Sequence, residues 1–369
     1  MAPKRLSRRS FLKLVSLGLT AGGSAWLQAC ARQNSIPTPV APIRLKSTFT
    51  SSPTLTSPTP TSTPSAPTAT ETQTASPQAD TALLVRARHS AAWQGADLDP
   101  AALRQMLDAC LARLTGLEDA GEAWKSLFKP HERIAIKVNS MVHGCTHPAL
   151  ALAVAGCLQD AGVPAEQITF YDRWTQELLS SRFPVSSSGT GVRCLGTDGQ
   201  FVDGGSVANI PVRFSQILMD ADALINIPVL KAFSVGGLSF AQKNHYGSID
   251  NPGRFHAPNF TAGVTGINAL EPVRSRTRLI IGDVLSQDTR QDWTNYVVVG
   301  GHEALLMSHD PVALDAVGLQ MAIETLEPMG LNLGSVTSQA EGWLQAGEDI
   351  GLGVCDLARI NIEEINLSS

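Results

Sequence analysis

Residues Ile225–Ile249, INIPVLKAFSVGGLSFAQKNHYGSI, place Lys231 and Lys243, Asn226 and Asn244, and His245 between hydrophobic runs that read as core. Polar side chains in such a setting are costly to bury without partners. Two ammonium groups twelve residues apart, flanked by amides, suit an anionic ligand. A histidine near both would have its charged form disfavoured and serve as a neutral base; His245 or His256 could be that group, and His256 is taken as catalytic, with Asp172 and Asp283 as companion carboxylates. A second cluster, His143, Cys145 and His147, has the alternating spacing that brings ligands to one side of an extended chain, so a divalent metal is considered there. A single loop supplies too few ligands for a closed site, and a fourth would have to come from Asp172, His245, His256 or Asp283.

The elements that must position these residues follow an α/β alternation. Leu83–Ala87, Arg133–Val138, Gln167–Tyr171, Ala223–Ile227, Arg278–Gly282 and Arg359–Ile365 read as strands. Pro100–Thr115, Glu118–Leu127, Ala149–Asp160 and Asp310–Thr325 read as helices, with Asp99, Thr146 and Asp310 at their starts. Tyr296–Val299 is expected to pair with Ala304–Met307 across the Gly300-Gly301 turn, and residues 175–212 to form a small, less regular insertion. Gly236-Gly237 permits a tight return, after which Leu238–Tyr246 is expected to run as a helix-like segment, with Tyr246 as a packing residue whose hydroxyl lies at the rim. The expected fold is a largely parallel open sheet with flanking helices. In such sheets ligands bind at the carboxyl ends of the strands, which gathers Asn139, Asp172, Asn226 and Asp283 at one edge. The reading is one pocket in which Asn139, Asn226, Lys231, Lys243 and Asn244 hold an anion, with Asp283 facing it. No G-x-G-x-x-G, Walker A or G-x-S-x-G sequence is present, so nothing points to a dinucleotide, a nucleoside triphosphate or a serine nucleophile.

Asn226-x-Pro228-x-x-Lys231 with Lys243-Asn244-x-x-Gly247 resembles the signature of the domain of unknown function 362 family. Further matching pieces are Ile134–Asn139, Thr146-His147-Pro148, Asp172, His256, Asp283 and Asp310–Gly318, so the resemblance runs from about residue 82 to the end. It implies a fold and a site but no settled reaction. The chain departs from the family at Phe233, where members commonly carry a histidine, and it lacks a Cys-x-x-Cys-x-x-Cys run. No ferredoxin-type iron–sulfur cluster is therefore expected; any other cofactor is unknown.

The chain has 369 residues, 43% of them hydrophobic, enough for a sizeable core. Five bases and no acid lie in the first 29 residues, which leaves 23 bases against 33 acids in the rest, an unpromising surface for nucleic acid. Ser7–Lys13, with Arg8 and Arg9, matches the twin-arginine export signature. Leu14–Leu27 is short for a membrane span, and Leu27-Gln28-Ala29-Cys30 reads as a lipobox whose cysteine becomes the acylated N-terminus. Of the 32 residues Ser47–Gln78, 24 are Pro, Ser or Thr, a composition that buries no core. The expected organisation is a signal peptide over 1–30, a disordered tether over 31–80 and an α/β domain over 81–369. At about 3.1 Å per residue, the tether reaches up to ~150 Å. The expected partners are thus the translocase during export, the membrane through a lipid anchor outside the cytoplasm, and a small anion. Two classes fit: an enzyme acting on a small anionic or cofactor-like molecule, and a non-catalytic binding lipoprotein. Of the five other cysteines, Cys110 and Cys157 fall on apolar helix faces and read as small core residues. Replacing Cys30 by Ala is expected to abolish incorporation of labelled fatty acid and release the protein from the membrane fraction; retention of label would disprove the lipobox.

Overall fold

The structure, a computed structural model, describes residues 80–141, 144–233, 236–291 and 296–368, which belong to one compact unit. Arg8, Arg9, Cys30, the tether and His143 lie outside the described residues. The centre is an eight-stranded sheet. Its strands are β1 (Ala82–His89), β2 (Ile134–Lys137), β3 (Ile168–Asp172), β4 (Arg193–Gly196), β5 (Ala223–Asn226), β6 (Thr277–Val284), β7 (Ala304–Ser308) and β8 (Ile360–Leu367). The spatial order is β8-β1-β7-β6-β5-β2-β3-β4. Neighbours pair in parallel except at β7, which runs against both β1 and β6. The fold is therefore the largely parallel α/β sheet expected.

Each face is covered by helices because alternate strand residues point to opposite sides. Ile134, Ile136, Ile225, Leu279 and Ile281 pack with the apolar stripes of α1 (Pro100–Thr115) and α2 (Pro148–Asp160). Ala135, Leu224, Ile280 and Leu306 pack on the other face with α3 (Phe260–Ala269), α4 (Pro311–Leu326) and α5 (Gly334–Asp349). Asp99 and Asp310 cap α1 and α4, each accepting two backbone N–H bonds through one side-chain oxygen. Cys110 and Cys157 are buried in the core.

Three expectations are corrected, and the insertion takes a definite form. Ala304–Ser308 does not pair with Tyr296–Val298; it inserts between β1 and β6, where a run buried at every residue belongs. Tyr296–Val298 instead joins a second sheet in the order Gly237–Ser239, Lys231–Phe233, Tyr296–Val298, Arg290–Gln291. The insertion after residue 175 adds β4 to the edge of the main sheet and then forms a hairpin of Phe201–Val207 with Ile210–Ser215. Leu238–Tyr246 is not one helix. Gly236 and Gly237, at φ +88° and +83°, turn the chain into a short strand, and a single helical turn, Ala241–Asn244, follows. That turn is held by Asp315, whose two oxygens accept the Ala241 and Gln242 N–H groups at 2.6 and 3.0 Å. Thr146 does not cap α2; its hydroxyl donates to Ile227 O and accepts from Asn139 N, tying β2 to β5.

The chain leaves β2 outward through β3 and β4, then returns to the other side of β2 as β5 and proceeds outward to β6. This reversal opens a crevice at the carboxyl ends of β2 and β5. Above it lies the turn Ala241–Asn244, packed on α4 where Gly318 leaves no room: a Cβ there would sit 2.8 Å from Phe240 Cδ1 and 3.0 Å from Leu230 Cδ1. Gly318→Ala is expected to lower the unfolding free energy by about 1–3 kcal/mol in urea titrations although alanine is the better helix former. An unchanged or higher value would mean that Phe240 yields freely.

Candidate functional site

The floor of the crevice is an ion pair that the strand reading did not single out. Lys137, the last residue of β2 and 1% exposed, donates to Asp172 Oδ1 at 2.8 Å, Val138 O at 2.6 Å and Asn244 Oδ1 at 3.4 Å. Asp172 Oδ2 accepts from the Ser140 backbone N–H and hydroxyl at 2.7 and 2.8 Å, and Oδ1 from Arg173 N at 2.8 Å. Asp172, expected to handle protons, is thus fully committed to positioning. The signal for Lys137 was legible as a lone lysine inside the apolar run Ile134–Val138. Gly247 lies directly on this pair: a Cβ there would be 2.2 Å from Asp172 Oδ1 and 2.7 Å from Lys137 Nζ.

An amide network joins the strand ends. Asn244 donates to Asn226 Oδ1 at 2.7 Å and accepts from Asn139 Nδ2 at 3.1 Å, while Asn226 Nδ2 donates to Ala241 O at 2.9 Å. Asn139 Oδ1 in turn accepts from Lys231 Nζ at 3.0 Å. The grouping of Asn139, Asn226, Lys231 and Asn244 expected from the strand ends is therefore present. Lys231 is 2% exposed and lies 5.0 Å from the centre of the Tyr296 ring. Burial lowers its amine to about 7, and the neighbouring Lys243 adds to the shift.

Lys243 is half-buried and sits among three aromatic rings, with Nζ 4.8 Å from the centres of Phe233 and Tyr246 and 5.9 Å from that of Phe260. Burial lowers it to about 8. Neither Lys231 nor Lys243 forms an ion pair among the described residues. Phe233, where the family resemblance implies a histidine, is thus a wall of this cage. The Tyr246 hydroxyl is not at a rim; it donates to Phe255 O at 2.6 Å. His256 packs edge-on against Tyr246, with centroids 5.6 Å apart, and burial together with Lys243 lowers it to about 4, so it is neutral at neutral pH. His245 is buried, bonded through Nδ1 to Ser248 Oγ at 3.2 Å and lowered by burial to about 3.

Asp283 does not face the lysines. It shares the side of β6 with Leu279 and Ile281, the α1 and α2 side, because residues two apart on a strand point alike. There it accepts from the His147 backbone N–H at 2.8 Å and meets His147 Nδ1 at 2.9 Å. Burial pushes the His147 imidazole down, but Asp283 more than offsets this and the net shift is up. His147 is thereby an aspartate-oriented histidine, its edge on Trp93 at 5.7 Å. Cys145, half-buried, is held as a thiol by burial. Among the described residues no group of three or more His, Cys, Asp or Glu side chains is arranged to hold a metal ion. A cavity of about 220 Å³ at the opposite edge, lined by Arg133, Glu166 and Arg193 among others, contains none of these residues.

A family model, Domain of unknown function (DUF362), matches residues 127–320. The chain belongs to this family. Its boundaries enclose Lys137, Asn139, Asp172, Asn226, Lys231, Lys243 and Asp283, so the network just described is built within the family domain. No curated protein sequence matches. Solved structures that match include the lactate racemase apoprotein from Thermoanaerobacterium thermosaccharolyticum, at 10% identity and a TM-score of 0.38 over 60% of this chain and 55% of that one. A protein from Thermotoga maritima matches at 10% identity and 0.33, over 70% and 60%. The chain thus spans 55% and 60% of the lengths of these two structures, at scores too low for either protein's chemistry to bear on this chain.

The lysines make stability depend on pH. Lys231 titrates near 7 when folded against 10.5 as an unperturbed lysine, so between these values the unfolded chain binds more protons. Stability therefore rises with pH from about 7 to 10.5 and is lost as pH falls through 7. Lys231→Met is expected to be the more stable protein at pH 7 and to lose Lys231's share of that rise, at most about 1.4 kcal/mol per pH unit. Urea unfolding at pH 7, 8.5 and 10 reads this; a variant that keeps the full slope would show that Lys231 does not titrate there.

Proposed function

We propose that this protein is an exported, lipid-anchored enzyme that acts on a small anion at the carboxyl edge of its sheet. In this reading residues 1–30 are the twin-arginine lipoprotein signal, 31–80 the tether and 81–369 the catalytic domain. Support for the N-terminal part is the Arg8-Arg9 motif, the Cys30 lipobox and the Pro/Ser/Thr tract. The observation that carries the site is a charge imbalance. Lysines 137, 231 and 243 gather at the crevice, and among the described residues the carboxylate paired with a lysine there, Asp172, is spent on Lys137. Buried ammonium groups without counter-ions cost several kcal/mol or lose their protons, and a bound anion would relieve both Lys231 and Lys243. Asn139 and Asn244 would orient it, and neutral His256 would carry protons. The His147–Asp283 pair is a second acid–base candidate.

The binding-protein alternative implies two lobes about a hinge, whereas the described residues form one compact unit, which favours the enzyme. The test is thermal unfolding with small carboxylates and phosphate. A bound anion at a hundred times its Kd should add about 2.7 kcal/mol of stability. Lys243→Met is expected to remain folded and to bind at least about tenfold more weakly, the equivalent of ~1.4 kcal/mol. Equal stabilisation of both proteins, or none of the wild type, would overturn the reading.

A further inference from the structure

Lys243 is built differently from an ordinary anion-binding lysine. Among the described residues its ammonium makes no hydrogen bond and no ion pair, and its surroundings are the faces of Phe233, Tyr246 and Phe260. The face of an aromatic ring is negative, so it favours a cation at Nζ but repels an anion brought close. A lysine meant only to clamp an anion gains nothing from such a cage. An amine that must become neutral, react and again carry positive charge gains at both stages: burial favours release of the proton, and the rings hold the cationic product. Lys231 lies within electrostatic reach, and its own amine is lowered by burial and in part by Lys243. With the amine lowered to about 8, about one molecule in ten carries it neutral at pH 7.

We propose that Lys243 is an imine-forming nucleophile and that the substrate class is a small oxo-carboxylic acid, its carboxylate on Lys231 with the amides of Asn139 and Asn244. The inference rests on the anion-site reading above and names its substrate chemistry. The lone pair of neutral Nζ adds to the carbonyl carbon, the C=O π pair moves to oxygen, and the proton lost by nitrogen passes to that oxygen, forming a carbinolamine. A second proton on its hydroxyl lets it leave as water, and the nitrogen lone pair closes the C=N bond. The net change is carbonyl plus ammonium to iminium plus water, with no change of oxidation state. The iminium charge then lies where the ammonium charge lay, among the three rings. His256, edge-on to Tyr246 and within electrostatic reach of Lys243, moves the protons between nitrogen and oxygen.

The test is reductive trapping. The full chain is incubated with pyruvate or with acetoacetate, treated with sodium borohydride, digested and mapped by mass spectrometry, with thermal unfolding measured in parallel against propionate and lactate. The expected result is a reduced adduct on Lys243, its yield rising severalfold from pH 7 to 9, and absent from Lys243→Arg, which keeps the charge and most of the bulk. Phe233→Leu, which removes one ring face, should lower the yield severalfold without moving the adduct. If propionate and lactate stabilise the protein but neither oxo acid is trapped at Lys243, the imine fails while the anion site stands. If no carboxylate stabilises the fold and no adduct forms, both fail. Adducts spread evenly over surface lysines would likewise overturn the assignment.

Discussion

The Lys137–Asp172 ion pair is the constraint on which the site depends. Both residues end parallel strands that lie side by side, and each uses its remaining hydrogen-bonding capacity on backbone or side chains of the adjoining loops. Removing either partner would strand a buried charge, a loss of about 3–5 kcal/mol in comparable sites. The pair fixes where Ser140 and Arg173 begin their loops, and the main chain at Gly247 rests on it with no space for a side chain. The motif Lys243-Asn244-x-x-Gly247 then divides its work: Gly247 touches the ion pair, Asn244 links the ends of β2 and β5, and Lys243 projects into the aromatic cage.

Above that floor the molecule accepts a cost. Among the described residues, Lys231 is nearly inaccessible and finds one amide oxygen and one ring, and the Lys243 ammonium finds rings alone. A fold selected for stability alone would place a carboxylate here or replace the lysines with apolar residues, because burying an ammonium without a counter-charge is among the least favourable arrangements in a core. Asp315 adds a similar cost nearby: fully buried and raised to about 7 by that burial, it nevertheless anchors the turn that carries Lys243. Unfavourable charges gathered at a strand-end crevice are the pattern on which the proposed anion site rests.

The two histidine settings differ in kind. His147 has a carboxylate to orient its Nδ1 and a net upward shift, the arrangement of an imidazole able to carry positive charge. His256 has rings and a nearby cation, which keep it neutral. They lie on different elements, His147 at the start of α2 and His256 just after the 3-10 turn Pro252–Phe255.

How much of this was legible in the sequence follows from the range of each interaction. Helical periodicity in Pro100–Thr115 and the capping pairs Asp99-Pro100 and Asp310-Pro311 are local, and so were readable directly. The convergence of Asn139, Asn226 and Lys231 was also readable, because parallel strands necessarily bring their carboxyl ends to one edge. Tertiary structure decided the rest. Asp283 was placed at the correct edge but on the wrong face, since one residue along a strand reverses a side chain's direction and the strand's end could not be fixed to a single residue in advance. Ala304–Ser308 is equally apolar whether it closes a local hairpin or fills the centre of the sheet; only competition for the site between β1 and β6 chose. The cage around Lys243 draws Phe233, Tyr246 and Phe260 from a strand, a 3-10 turn and a helix. No spacing announces such a cluster, because its members meet only after the second sheet has folded over the crevice.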